Sequence, residues 1–427
     1  MVKEERIIHN DRTVFVYTYV NPGPAGSGAQ IRVYTNIRAY LDLGMSVKVF
    51  HITHKPNENI CILPDGAEYF SIKPDDSKPT LWQRIAYKIG FPFKDALFAL
   101  YPDRSSILRV VLENERTSPK AIHHFEYPST ANVVLSLKDK NLNLVWSCHD
   151  WESDRFLKIA AMRAEAGIRR AKLAKIHRQY YVNQIEKRIA DASKLVLMIA
   201  EHETRIFRDQ LNITNAELLP MSWPDETIIK RTRNWVQDGK LRMLHVGSPD
   251  AMVGYYSLKF LLAEVFPLMP ERVRQQIELL VVGKIDNSSY FNRILELASH
   301  YPQVTFLGYV NDIKPFYAQC DIQLVGNRMA TGLRTRIIES FVFGVPVVSV
   351  PEAALGIIGL VNGKNIYLEN SPQAIADRIT QLLENPDCLP TVAANGRDLY
   401  EKEYSRKKAA DLLKNYLNRY IFRENNA

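Results

Sequence analysis

One stretch of the sequence decides the fold: Arg328-Met-Ala-Thr-Gly-Leu-Arg-Thr-Arg-Ile-Ile-Glu-Ser-Phe-Val-Phe-Gly-Val-Pro-Val-Val-Ser-Val350. Its residues predict, in order, a loop, a short amphipathic helix, a Gly-Val-Pro turn and a buried strand. A helix followed by a fully apolar, β-branched strand is typical of a parallel α/β sheet with both faces covered. The stretch therefore places the chain in the α/β class.

The loop and the first helical turns of this stretch carry three arginines, Arg328, Arg334 and Arg336. Gly332 allows the backbone to approach a ligand closely, and the free N–H groups at a helix start favour an anion. A single carboxylate, Glu339, follows on the same helix. The pattern predicts a cradle for a nucleotide diphosphate, with Glu339 accepting hydrogen bonds from ribose. A solvated basic loop remains the alternative, since an Arg fork also pairs with any carboxylate.

Outside this stretch, predicted strands and helices alternate in two series, which implies two doubly wound domains. The first series opens with a strand, a glycine-rich loop, a helix and a second strand within residues 14–52. A proline-bearing segment at 218–226 separates it from the second series. We predict domains at 1–221 and 240–405 with a linker at 222–239, and a helix at 406–427 that packs back on the first domain.

Residues that follow predicted strands are candidates for function, because parallel sheets bind ligands beyond the carboxyl ends of their strands. In the first domain these are Gly28 in the glycine-rich loop, Glu126, and the adjacent His149 and Asp150. The glycines of the loop lack the dinucleotide spacing, and His51 stands where an acidic ribose ligand would follow the second strand. We therefore expect no nicotinamide cofactor.

The composition is ordinary for a soluble globular protein, with 427 residues of which 46% are hydrophobic and 24% charged. Four widely spaced cysteines argue against a zinc site or a disulfide framework and favour a reducing cytoplasm. No apolar run has the length of a signal peptide or a spanning helix. We expect a cytoplasmic protein that needs no metal ion.

A net charge of +8 indicates attraction to anions. The aromatic and basic residues at 80–101 fit either peripheral contact with an anionic membrane or core helices with a lysine rim. The basic helix predicted at 156–192 is read as a solvated face, with a membrane-surface role as its alternative. A position at the inner face of the membrane therefore stays open, and nucleic acid is not an expected partner.

The stretch at 328–350 resembles the signature of retaining GT-B glycosyltransferases of the family 4 type, in particular bacterial polysaccharide-type members. That signature has two Glu separated by seven residues and a small-residue-Pro-Val-Val strand. A bacterial subset has Leu-Arg, a Gly-rich turn and Thr-Arg-Leu-Lys-Ile-Leu-Glu-Ala at this place. Arg328, Gly332, Arg334, Arg336 and Glu339 match that subset position by position, as does the run of five residues from Gly344. Thr331 stands where the family has its first Glu, a residue that holds donor-sugar hydroxyls.

The resemblance implies a GT-B fold, in which two Rossmann-like domains face each other across a cleft. It also implies transfer of a sugar, with retention, from a nucleotide-diphosphate sugar to a hydroxyl of a glycan or lipid-linked glycan in cell-surface polysaccharide biosynthesis. Neither a cofactor nor a metal is implied. The implied site residues are His149, Arg328 and Arg334 in catalysis, Gly28, Gly247, Gly332, Leu333, Arg336, Glu339, Leu355 and Gly356 in donor binding, and Glu126 and Asp150 in acceptor binding.

Three alternatives to this function stay open. A nucleotide-sugar 2-epimerase could use the same fold, but it needs acid and base carboxylates, and the sequence places none beside Glu339. A protein that binds nucleotide sugars or partners without transfer is suggested by Thr331. A nucleic-acid-binding module is suggested by charge alone.

Overall fold

The computed structural model describes residues 12–54, 61–74, 81, 104–151, 154–155, 158, 185–286, 288–328 and 332–422. Some predictions fall outside these residues. They concern nearly all of the aromatic and basic segment at 80–101, most of the basic helix at 156–192, and Thr331. The structure therefore tests neither the membrane interpretation of those two segments nor the role of Thr331.

The chain divides into two compact units. One contains the residues up to Pro224 together with the segment that starts at Arg406, and the other is Asp225–Ser405. Each described part has its own parallel sheet and its own buried core. No helix among the described residues is both long enough and apolar enough to span a bilayer.

All strand pairings within the two sheets are parallel, and the sheets have seven and six strands among the described residues. The strands of the first sheet are β1 Thr13–Thr18, β2 Ser46–Ile52, β3 Ala67–Ile72, β4 Ile122–Glu126, β5 Asn143–Cys148, β6 Leu195–Met198 and β7 Ala216–Leu218. The strands of the second sheet are β8 Leu241–Val246, β9 Ile277–Val282, β10 Val304–Gly308, β11 Ile322–Val325, β12 Val347–Ser349 and β13 Tyr367–Leu368.

Helices connect and cover these strands. The α-helices that lie entirely within the described residues are α1 Gly28–Asp42, α2 Arg104–Thr117, α3 Tyr127–Ala131, α4 Glu201–Arg205, α5 Met252–Phe260, α6 Glu271–Gln275, α7 Ser289–Ala298, α8 Lys314–Gln319, α9 Thr335–Val342, α10 Pro351–Ala354, α11 Pro372–Glu384, α12 Leu389–Glu403 and α13 Arg406–Tyr420. Shorter helical turns are Asn132–Ser136, Lys138–Lys140, Ile206–Gln210, Gln237–Gly239, Leu261–Val265, Phe266–Leu268 and Pro386–Cys388.

Both sheets are doubly wound, and their strand orders show where each reverses direction. The first has the order β3-β2-β1-β4-β5-β6-β7, and the second β10-β9-β8-β11-β12-β13. Strand order therefore reverses between β1 and β4 in one unit and between β8 and β11 in the other. Open α/β sheets bind ligands at such switch points, beyond the carboxyl ends of the strands.

The core of the first unit lies on both faces of its sheet, as the apolar strands require. Phe15 and Tyr17 of β1 point into one cluster, and Val14 and Val16 point into the other. Helix α13 supplies Leu413 and other residues to the second cluster, beside side chains of α1. The end of the chain is therefore part of the first unit.

Three strands, β3, β7 and β13, were not predicted as complete strands: the sequence indicates only strand fragments around β3, and β13 has just two residues. β3 is an edge strand whose central four residues are exposed, so its sequence lacks the buried run that marks the other strands. β7 has only three residues, too few to show a period. The sequence predicts a helix that begins at residue 257, but helix α5 begins at Met252. The predicted start is too late because Gly254, a poor helix former, lies in the first turns of α5.

Candidate active site

Arg328, Gly332, Leu333 and Arg334, which we call the arginine loop, follow β11 at the switch point of the second sheet and precede α9. Arg334 is the N-cap residue of α9, with φ −82° and ψ 88°, and its side chain makes no capping hydrogen bond to the helix. The N–H groups of the first turn are therefore not satisfied by the cap, which is the arrangement that suits an anion. Gly332 is buried just before the cap, at φ +57°, a conformation that favours glycine.

Glu339 is almost completely buried, with 3% of its surface exposed. Its Oε2 accepts a hydrogen bond from the Tyr317 hydroxyl at 2.9 Å and one from Arg336 Nη1 at 3.0 Å. A buried carboxylate needs such donors because burial deprives it of water. Burial raises the pKa of Tyr317 well above its usual range, and the carboxylate adds to that shift, so the phenol keeps its hydrogen.

The Tyr317 hydroxyl also lies 3.0 Å from Gln323 Oε1, although a phenol has only one hydrogen to donate. With that hydrogen on Glu339, the amide of Gln323 has to turn its NH₂ group toward the phenol oxygen. This orientation also gives a partner to the buried Gln323 nitrogen. A chain of hydrogen bonds then runs from the Gln323 amide through the Tyr317 hydroxyl to the Glu339 carboxylate.

The structure pairs Arg336 with Glu339 one helical turn away, which the sequence did not predict. The resemblance assigns Arg336 to the donor, and that role stays a prediction. Arg328 is exposed, and its guanidinium lies over the ring of Phe260 at 5.5 Å from the centroid. Leu333 is buried beside Gly332. The three arginines therefore have different local surroundings.

A glycine directly follows each of the strands β8 and β9. A Cβ atom added to Gly283, after β9, would lie 2.3 Å from the carbonyl oxygen of Gly247, after β8. A Cβ added to Gly254 of α5 would lie 1.9 Å from the carbonyl oxygen of Ser248. A Cβ added to Gly247 itself would meet only His245 Nε2, at 3.7 Å. Close backbone packing therefore explains Gly254 and Gly283 but leaves Gly247 without a packing reason.

His245, two residues before Gly247, is buried inside β8. Its Nδ1 lies 3.1 Å from the carbonyl oxygen of Leu324, so Nδ1 carries a hydrogen and donates. Its Nε2 is buried without a hydrogen-bond partner among the described residues. Burial lowers the pKa of His245 to about 4, which means that the folded protein holds the ring neutral.

This neutral histidine predicts a loss of stability in mild acid. An unfolded histidine takes up its proton near pH 6.5 and the folded one near pH 4, so the unfolded state binds more protons between these values. Stability should fall as pH drops through that window, by about 3 kcal/mol from this residue, since one pKa unit is roughly 1.4 kcal/mol. Urea unfolding at pH 7 and pH 4.5 measures the loss.

The matched variant for this prediction is His245→Asn, whose amide N–H can still donate to Leu324. Its stability at pH 7 should be lower because of the smaller side chain, but it should lose less stability on acidification than the wild type. Equal losses in the two proteins would show that His245 does not titrate on unfolding.

The remaining donor-side predictions lie after β12. Leu355, directly after α10, is exposed, whereas Gly356 is buried. The loop that follows is held by a hydrogen bond from the Ile358 N–H to the Tyr404 hydroxyl at 2.7 Å. β8, β11 and β12 are adjacent strands of the second sheet. The residues that follow them therefore all lie at the carboxyl edge of this sheet.

The predicted residues of the first unit are divided between a helix start and a buried cluster. Gly28 is the first residue of α1, which is capped by a reciprocal pair of Ser27 and Gln30. Gln30 thus has a structural role at this helix start. Asp150 is half-buried, and its carbonyl oxygen accepts a hydrogen bond from Cys148 Sγ at 3.2 Å.

Glu126, at the end of β4, has no exposed surface. Its Oε2 lies 2.5 Å from His149 Nε2, and its Oε1 accepts a hydrogen bond from Asn36 at 2.9 Å and faces His124 Nε2 at 3.0 Å. Burial raises the pKa of Glu126, but His124 and His149 outweigh it and hold that pKa well below its usual range. The cluster therefore contains an ionised carboxylate.

Several of these partners could not be found from the sequence. Tyr317 and Asn36 lie on elements far along the chain from the carboxylates they contact, and they carry no motif. His124 lies two residues before Glu126 on β4, so the strand period places both on one face, but nothing in the sequence marks the pair. His245 could have been suspected, since it precedes a strand-exit glycine. Folding brings together Glu126 and His149 in the first unit, and Glu339 and Tyr317 in the second. Gly332, Arg334 and Glu339 are already close in sequence, at the start of α9.

Comparison with known proteins agrees with this architecture. Residues 240–385 match the sequence model of the family described as glycosyl transferases group 1. That match covers most of the second unit, including the arginine loop, Gly247, Glu339 and the loop after β12. A comparison with curated protein sequences gave no significant match.

Solved structures resemble the chain over nearly its whole length. Sucrose-phosphate synthase from Thermosynechococcus elongatus is 17% identical with a TM-score of 0.69, covering 96% of this chain and 99% of that one. Anabaena Alr3699/HepE in complex with UDP and glucose is 14% identical with a TM-score of 0.65, covering 96% and 100%. TarM is 11% identical with a TM-score of 0.68, covering 97% and 99%. The predicted α/β fold of the GT-B type is confirmed.

Proposed function

We propose that the protein is a glycosyltransferase that moves a sugar from a nucleotide-diphosphate sugar to a hydroxyl of a glycan or lipid-linked glycan. The observation that carries this proposal is the arginine loop at the start of α9, beside the buried Glu339, in a unit that matches glycosyl transferases group 1. Anabaena Alr3699/HepE, a protein of similar fold, was solved with UDP and with UDP-glucose. TarM of S. aureus was solved with UDP and alpha-GlcNAc-glycerol.

In this proposal the second unit binds the donor. The uncapped first turn of α9 and the guanidinium groups of Arg334 and Arg328 stabilise the negative charge that grows on the diphosphate as the sugar bond breaks. Gly247 and Gly332 let backbone N–H groups approach the phosphates. Glu339, held by Tyr317 and Arg336, accepts hydrogen bonds from ribose hydroxyls.

The first unit is proposed to hold the acceptor and to supply His149 to the reacting sugar. Cationic side chains provide the charge for the leaving group, so the proposal includes no metal ion and no cofactor. Retention of anomeric configuration, a place in cell-surface polysaccharide biosynthesis, and work at the inner face of a membrane are further parts of the proposal. They rest on the sequence resemblance and on the net charge of +8.

A second candidate is a protein that binds a nucleotide sugar without transferring it. It is favoured by Thr331, which stands where the resembling family has a Glu for the donor sugar. In this case the diphosphate and ribose contacts would persist while the sugar would not be held for reaction.

A panel of nucleoside diphosphates and their sugars tests the function. One nucleoside diphosphate should raise the melting temperature, and its sugar should be slowly hydrolysed or transferred to an oligosaccharide acceptor. Glu339→Gln keeps the shape but removes the charge, and we expect about 10- to 100-fold weaker binding, the loss of a charge-assisted hydrogen bond. Thermal shift and product analysis by NMR provide the readouts.

The outcomes separate the candidates. Binding of the nucleotide sugar without turnover would support the non-transferring protein. Isomerisation of the nucleotide sugar without transfer would support an epimerase. No stabilisation by any nucleotide would contradict a donor site in the second unit.

A further inference from the structure

We infer that Glu126 is a positioning residue that fixes which ring nitrogen of His149 carries hydrogen and so presents Nδ1 of His149 to the substrate as a hydrogen-bond acceptor. The link to a substrate rests on the proposed sugar transfer, whereas the state of the ring can be measured without it. This role differs from the acceptor contact that the sequence resemblance implies for Glu126.

The first step is the hydrogen bond itself. His149 Nε2 lies 2.5 Å from Glu126 Oε2, and both side chains are buried. An ionised carboxylate can only accept, so Nε2 must donate. In the neutral ring the hydrogen is then on Nε2 and the lone pair is on Nδ1. Among the residues that the structure describes, none forms a hydrogen bond with Nδ1.

The second step is charge. Titratable and charged groups reach this cluster from several elements: Glu126 and His124 from β4, Arg32 and Tyr40 from α1, and Tyr127 from α3. Arg32 is 1% exposed, and its Nη1 donates to the carbonyl oxygen of Leu219 at 2.7 Å. The Arg32 guanidinium interacts favourably with the Glu126 carboxylate, so the cluster contains a fixed positive charge in addition to the two histidines.

The third step is orientation. Tyr127 adopts φ +68°, a left-handed conformation that is rare for an aromatic residue and costs on the order of 1–3 kcal/mol. This conformation accompanies a stack of its ring on the His149 ring, with centroids 3.8 Å apart and planes 20° apart. Backbone strain of this kind is maintained where function needs a fixed geometry. The ring of His149 is thus held both at its edge and on its face.

The fourth step is the loop that carries His149. A second buried carboxylate, Glu203 of α4, accepts the backbone N–H of Trp151 at 3.2 Å. Glu203 therefore fixes the same loop without touching the imidazole of His149 in any contact the structure gives. The chain thus provides a matched control, since both carboxylates are buried, Glu126 holding the His149 ring and Glu203 the backbone of Trp151.

The experiment is a long-range ¹H–¹⁵N NMR spectrum of protein labelled at histidine, with the His149 signals assigned by His149→Asn. We expect hydrogen on Nε2 and a lone pair on Nδ1 in the wild type. In Glu126→Gln the pattern should shift toward hydrogen on Nδ1, because an amide can donate to Nε2. Glu203→Gln should leave the pattern unchanged, and Glu126→Asp should restore it at least in part.

Kinetics give a second readout. Glu126→Gln should lower kcat on the order of 100-fold with little change in the KM for the donor, since a misplaced catalytic group affects the chemical step. A wild-type spectrum with hydrogen on Nδ1 would overturn the inference even if no variant folds. An unchanged spectrum and kcat in Glu126→Gln would overturn it too. Absence of transfer by the wild type, with the expected spectra, would refute the proposed function and leave the role of Glu126 intact.

Discussion

Replacing Arg334 with alanine is expected to reduce sugar transfer about 100- to 1,000-fold, the usual cost of removing one group that stabilises a developing anion. Arg334 is the N-cap residue of α9 and adjoins Gly332 in the loop after β11, at the switch point of the sheet. Its loss should act mainly on kcat, because charge on the diphosphate is greatest as the sugar leaves. Steady-state rates with the accepted nucleotide sugar measure the effect.

Substitutions of two other arginines serve as controls for Arg334→Ala. Arg272 is exposed and pairs with Glu384 at 2.5 Å, so Arg272→Ala should change neither rate nor stability appreciably. Arg328→Ala should have an intermediate effect, since its guanidinium is exposed over the Phe260 ring. If Arg334→Ala retains the wild-type rate and the wild-type affinity for the diphosphate, the arginine loop is not the phosphate site.

The second large effect is expected from Gly254→Ala. The new Cβ would lie 1.9 Å from the Ser248 carbonyl oxygen and 2.7 Å from its carbon, and backbone atoms cannot move aside as a flexible side chain can. We expect the free energy of unfolding to fall by about 3 kcal/mol or more, at the upper end of the cost of overpacking. Urea unfolding followed by tryptophan fluorescence measures the loss.

Gly247→Ala is the matched control, since the same methyl group at Gly247 would meet only His245 Nε2, at 3.7 Å. This variant should fold with nearly wild-type stability and yet bind the nucleotide diphosphate more weakly. The pair thus separates a glycine that packing requires from one that a ligand requires. A stable Gly254→Ala, or a Gly247→Ala with unchanged nucleotide affinity, would contradict the corresponding assignment.

Much of the fold could be predicted from local patterns. Buried strands such as Asn143–Cys148 show as apolar runs, and the helix before β12 shows as an apolar stripe followed by Gly344 and a proline. Alternating strands and helices form parallel sheets. In a parallel sheet all strands end at the same edge, so the residues that follow them lie together there. For this reason Arg334 and His149 stand out as candidates from the sequence alone, whereas Gly247 is a candidate through the family resemblance.

What the tertiary structure decided is the set of partners of each candidate. The sequence shows Glu126 as a polar residue at a strand end, but only the packing of α1 against β4 buries it among Asn36, His124 and His149. Likewise, Tyr317 reaches Glu339 across 22 residues of chain. The spacing of apolar residues shows which face of a helix or strand is buried, because that face is set by residues a few positions apart in the sequence. It carries no information on which distant side chain completes a hydrogen bond, since that depends on how whole elements pack.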